Sequence, residues 1–112
     1  MYTLVMSRPN GTSLKGYFRT SYQELVKTFG QPNSEGDSFK VSTEWLLRDG
    51  GGNIVTIYDY KETELYSKSN PSVEMFRELP GYNWHIGAED EKVALELIKF
   101  LEEKGIGYQT NY

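Results

Sequence analysis

The chain has no cysteine, a single histidine and only four prolines in 112 residues. Without cysteine, disulfides and thiolate metal sites are excluded, and a reducing compartment is the natural setting. One histidine cannot build a nitrogen-rich zinc site, so neither metal nor cofactor is expected. No apolar run approaches the roughly 20 residues of a membrane-spanning helix. The opening residues MYTLVMSRPN lack a basic stretch followed by an apolar one, so no signal peptide is read and a cytosolic protein is expected. Positive charge is also scarce. Twelve basic against 16 acidic side chains leave a net charge of −4, which disfavours direct binding to phosphate backbones and is too mild for DNA mimicry.

What the chain has is tyrosine. Nine Tyr, five Phe and two Trp sit in a length suited to one domain, residues 1–112. Tyrosine offers large contact area with few rotatable bonds and suits binding surfaces, although strands also use it freely.

Tyr2–Met6 and Leu14–Thr20 read as strands around a turn at Arg8-Pro9-Asn10-Gly11. Ser21-Tyr-Gln-Glu24 fits a capping box, and Tyr22, Leu25, Val26 and Phe29 form one helical stripe that Gly30 and Pro32 stop. Residues 31–38 read as a polar loop, and 39–61 as a hairpin around Gly50-Gly51-Gly52. Residues 62–81 show no clean period and read as a long loop, with room for a short strand or turn at Val73–Arg77. Tyr82–Ile86 reads as a strand, with Gly87 opening the way to a last helix. Asp90 is its N-cap, its buried stripe is Val93, Ala94, Leu97, Ile98 and Leu101, and Gly105 ends it. The acids on that helix read as its solvated back, and residues 106–112 are expected to fray. The pattern predicts an α+β fold: a twisted antiparallel sheet of about five strands with two helices on one face.

The hairpin carries the one arrangement that suggests catalysis. Glu44 followed by Asp59-x-Lys61 resembles the (D/E)…(D/E)xK pattern of the PD-(D/E)xK nucleases, with Glu24 on the preceding helix as a further acid. That resemblance implies two carboxylates holding Mg²⁺ and a lysine that stabilises charge. Thr43 stands where the pattern has proline. Register argues against assembly. Pairing the Val41, Thr43, Trp45, Leu47 set with the Val55, Ile57, Asp59, Lys61 set buries apolar residues together and puts Glu44 on the opposite face from Asp59 and Lys61. Without a bulge, Asp59 and Lys61 are then expected to be an ion pair or a solvated end of the inner face.

The same register puts Glu44, Arg48, Thr56, Tyr58 and Tyr60 on the outward face, where tyrosines among charges of both signs make a docking surface. Trp84 and His85, in Asn-Trp-His-Ile-Gly, add a strand to it. His85 is read foremost as a half-buried strand residue, and otherwise as part of a pocket with Trp84 and the tyrosines. The partner-binding candidates are therefore Glu44, Arg48, Tyr58, Tyr60, Trp84 and His85, with no catalytic residue assigned. Exposed tyrosines and sheet edges are compatible with a homodimer.

Gly-Thr-Ser-Leu-Lys-Gly-Tyr at 11–17, Tyr-x-x-Leu-Val-x-x-Phe-Gly-x-Pro at 22–32, Lys-Val-x-x-Glu-Trp at 40–45, Thr-Ile-Tyr-Asp-Tyr-Lys at 56–61 and Trp-His-Ile-Gly at 84–87 together resemble a family of small bacteriophage-encoded proteins. The resemblance implies a viral protein in a bacterial host cytoplasm. Proteins of that size and setting are often stoichiometric, anti-CRISPR-like inhibitors of a host protein or protein–nucleic acid defence complex. The alternatives are a sponge for a defence signalling nucleotide, using tyrosines, Trp84 and Arg48, and the Mg²⁺-dependent nuclease.

Overall fold

Glycine and asparagine make the turn that pairs the two central hairpin strands. The Asp49 carboxylate accepts hydrogen bonds from the Gly51 and Asn53 amides at 2.9 and 2.8 Å, and Gly52 takes φ +86°, a left-handed conformation. The computed structural model describes residues 1–6 and 11–111. Its elements run β1 (Thr3–Leu4), β2 (Ser13–Thr20), α1 (Tyr22–Phe29), β3 (Glu44–Arg48), β4 (Ile54–Tyr58), α2 (Val73–Arg77), β5 (Tyr82–Ala88), α3 (Glu91–Glu103) and β6 (Tyr108–Thr110). Arg8, Pro9 and Asn10 of the expected first turn lie outside the described residues.

The fold is α+β. One open antiparallel sheet has the order β1-β3-β4-β5-β2-β6, and three helices send their buried side chains to one face of it. The hairpin register pairs Trp45 with Ile57 and Leu47 with Val55, so the aliphatics and the indole face the helices together. There Trp45 and Trp84 meet edge to face at 5.5 Å, and Leu25, Phe76, Leu97 and Leu101 close the layer from the helix side. Capping sets the helix starts: Ser21 accepts from the Glu24 amide, Ser72 from Met75 and Asp90 from Val93, each at 3.1 Å.

Three expectations about the elements are corrected. The segment 62–81 contains a helix, α2, which exists because Phe76 drops between Tyr82 and Trp84 at 5.0 and 5.6 Å. Gly87 does not end a strand; it lies inside β5, opposite Thr56. A Cβ there would sit 2.7 Å from Thr56 Oγ1 and 3.3 Å from the Tyr58 ring, so close cross-strand packing explains the glycine. The tail is ordered by pairing as far as Thr110, and Tyr112 lies outside the described residues. Residues 108–110 add β6 to the edge of β2, with Thr20 Oγ1 donating to the Ile106 carbonyl at 2.7 Å and the Gln109 amide donating to Glu102 Oε2 at 3.2 Å. Gly107 makes this approach feasible, because any Cβ would overlap the Arg19 carbonyl oxygen.

Candidate functional site

Strand pairing lines up one row of side chains on the face of the sheet away from the helices. Glu44, Tyr58, His85, Tyr17 and Thr110 succeed one another across β3, β4, β5, β2 and β6. His85 stands at its centre, with the ring centroids of Tyr17, Tyr58 and Tyr60 at 5.0, 5.3 and 5.7 Å. Burial among these rings lowers the His85 pKa below its ordinary 6.5, since a charged imidazolium would lose its water there. Burial also pushes the Tyr58 phenol up to about 12, reinforced by Glu44 and then by its neighbours Tyr17 and Tyr60.

The His85 shift has a definite sign. A base whose pKa falls on folding binds fewer protons than the unfolded chain just below 6.5, so stability is lost as the pH drops through that value toward the native pKa. Thermal unfolding followed from about pH 7 to about pH 5 should show a decline in Tm that His85→Gln flattens. Equal slopes in the two proteins would remove His85 as its source.

The row is less open than an outward face of charges and tyrosines suggests. Glu44 and His85 are buried, and Glu44 accepts from Ser34 Oγ at 2.9 Å. Their expected role as direct contacts is corrected to support within the face, because Ser34 of the 31–38 loop bonds Glu44 and the rings of Tyr17, Tyr58 and Tyr60 pack around His85. Trp84 is corrected more strongly. It alternates with His85, points to the helices, is 1% exposed and donates its indole N–H to the Thr20 carbonyl at 3.1 Å. It lines no outer pocket. Arg48 is exposed but pairs with Ile54, four residues along β3 from Glu44, or about 13 Å at strand spacing, so it does not join the tyrosines.

The accessible part of this face begins at Tyr60, just beyond β4, and includes aromatics that the sequence pattern does not single out. The Lys61 ammonium lies 5.2 Å from the ring centroids of both Tyr60 and Tyr66, and Phe39 packs on Tyr66 at 5.2 Å. On the other side Asn83, Arg19 and Tyr108 continue the next row, with Arg19 donating to Asn83 Oδ1 at 3.4 Å. Phe39, Tyr60, Tyr66 and Tyr108 are 48, 37, 38 and 58% exposed, whereas in the row beside them Glu44 and His85 are buried and Tyr17, Tyr58 and Thr110 half-buried. Tyr17 is absent from the candidates read from the sequence, although its alternation with Phe18 along β2 carries the signal that would find it; Phe39 and Tyr66 sit in irregular chain and carry no periodic signal.

The acids of the nuclease pattern do different work. Asp59 is fully buried and accepts three hydrogen bonds: the Ser42 and Thr43 amides at 2.8 Å each, and Ser42 Oγ at 2.6 Å. Burial raises its pKa, and those three bonds pull it back. The expected ion pair or solvated end is therefore corrected: Asp59 ties down the chain leading into β3, and Lys61 at φ +60° covers aromatic rings. Glu44 turns to Ser34 on the other side of the strand. Among the described residues, no group of three or more His, Asp or Glu side chains is placed to share a metal ion. No helix of the described chain is long and apolar enough to cross a membrane. Compared with family models, with curated proteins and with solved structures, the chain finds no match.

Proposed function

We propose that this is a non-catalytic binding protein that works by covering part of its partner. In the setting implied by the bacteriophage resemblance, the partner is a bacterial host defence complex. The observation that supports this reading is the aromatic surface at one end of the helix-free sheet face, where Phe39, Tyr60, Tyr66 and Tyr108 are exposed beside Arg19 and Lys61. Exposed aromatics rimmed by polar groups are the usual anchors of protein interfaces. The Tyr17–Tyr58–His85 row behind them is packed and hydrogen-bonded through its strands, so the anchors start from a rigid base and lose little freedom on binding.

The test separates binding from folding. Tyr60 and Tyr66 are 37 and 38% exposed and make only peripheral ring contacts, so changing both to alanine should lower Tm far less than removing a core aromatic such as Trp84. An interface anchor is worth about 2 kcal/mol or more, so truncating even one true anchor should weaken capture of a host complex from infected-cell lysate by more than tenfold. Equal capture by wild type and Tyr60→Ala/Tyr66→Ala would place the interface elsewhere.

A further inference from the structure

Arg77, at the end of α2, is held in place from several sides although it has no acidic partner among the described residues. Its Nε and Nη2 both donate to Thr43 Oγ1, at 3.2 and 3.1 Å, and its guanidinium lies 4.9 Å from the Tyr22 ring centroid. Its carbonyl accepts from Gln23 Nε2 at 2.9 Å, fixing the backbone beneath. Thr43 is itself fully buried, with its amide bonded to Asp59. That carboxylate is spent on the amides of Ser42 and Thr43, so it orients the residue that orients Arg77. No ion pair to Arg77 forms among the described residues, and Nη1 takes part in none of its hydrogen bonds.

An arginine pinned on two sides keeps the remaining edge of its fork free. Arg77 lines a cleft of about 470 Å³ with Gln31, Pro32, Asn33, Ser34 and Glu35. The walls are mostly neutral and polar, in a chain whose net charge is −4. A fixed guanidinium edge at a concave polar site matches a two-oxygen anion, and pre-positioning lowers the entropy lost when the pair forms. Glu35 on the same wall opposes a second negative charge. That favours a monoanionic carboxylate over a phosphate dianion.

We infer that the cleft between α2 and the 31–35 loop is a receptor for a carboxylate group, with Arg77 as its anchor and Thr43 and Tyr22 as its positioning residues. The natural ligand class is an acidic side chain or chain end of a protein. The site shares no residue with the exposed aromatics, so it stands or falls independently of them.

The probe is sodium acetate, titrated into ¹⁵N-labelled protein at constant ionic strength, with sodium phosphate and sodium chloride as parallel arms. Acetate should shift the Arg77 Nε–H and the Ser34 and Glu35 amide resonances saturably. Arg77→Lys keeps the charge without the fork and should weaken that response tenfold or more. Glu35→Gln removes the opposing charge and should tighten acetate severalfold, which keeps the test decisive should the lysine variant disturb the fold. The inference is overturned if chloride produces the same shifts, or if neither substitution changes the acetate titration. Phosphate binding more tightly than acetate to the wild type overturns the carboxylate assignment.

Discussion

Asp59→Ala should lower stability by about 3–5 kcal/mol, read as a fall in the urea midpoint with little change in slope. Three donors lose their acceptor at once: two backbone amides and one hydroxyl, all on buried residues. Each buried donor left unmatched costs about 1–3 kcal/mol, and water reaching the vacated space recovers part of it. Against a typical domain stability of about 5–15 kcal/mol this is a large share. Asp59→Asn should be far milder, because its carbonyl oxygen can still accept from both amides and its NH₂ can donate to Ser42 Oγ. The pair of variants therefore separates a carboxylate kept for hydrogen-bond acceptance from one kept for charge. A loss of less than about 0.5 kcal/mol for the alanine variant, as for a typical surface site, would contradict the structural role and revive a chemical one.

That buried aspartate marks where sequence reasoning reached its limit. Helices α1 and α3 were legible because capping and a 3.6-residue apolar period agree over 8 and 13 residues. The hairpin register was legible because a slip by one residue would have put Glu44 and Arg48 among the aliphatics. Helix α2 was not, since a five-residue helix with one buried anchor, Phe76, leaves no period to detect. β6 escaped for a related reason: three residues at an edge are held by pairing with residues 17–19 and by Glu102, with Thr20 fixing Ile106 just before them, all on other elements of the fold. At the candidate site, alternation brought Tyr58 and His85 to one face but gave no depth. Nothing local shows that Glu44 will be sealed by Ser34, or that Thr43 will receive Arg77 from 34 residues away. Faces follow from the two-residue period; burial depends on which loops lie over them.

Trp84 gives the sharpest contrast between the two faces of one strand. Trp84→Ala should cost about 3–5 kcal/mol, enough to leave much of the protein unfolded at physiological temperature if its stability lies at the low end for domains. Its ring meets Trp45, Phe76 and Tyr82 edge to face at 5.5, 5.6 and 5.1 Å, so deletion opens a cavity that three other aromatics line. The Thr20 carbonyl loses its indole donor as well, at the point where β2 hands the chain to α1. Trp84→Phe refills most of the volume without that donor and should recover more than half of the loss, as judged by Tm and urea midpoint. If Trp84 were instead a partner contact, alanine would reduce binding to the proposed partner while Tm stayed near that of wild type. The structure favours the opposite order: unfolding first, and weaker binding only in proportion to the unfolded fraction. A Trp84→Ala protein with unchanged Tm would show that the indole is not in the core, and with it the face assignment of β5 that buries Trp84 and turns His85 toward the tyrosines would fall.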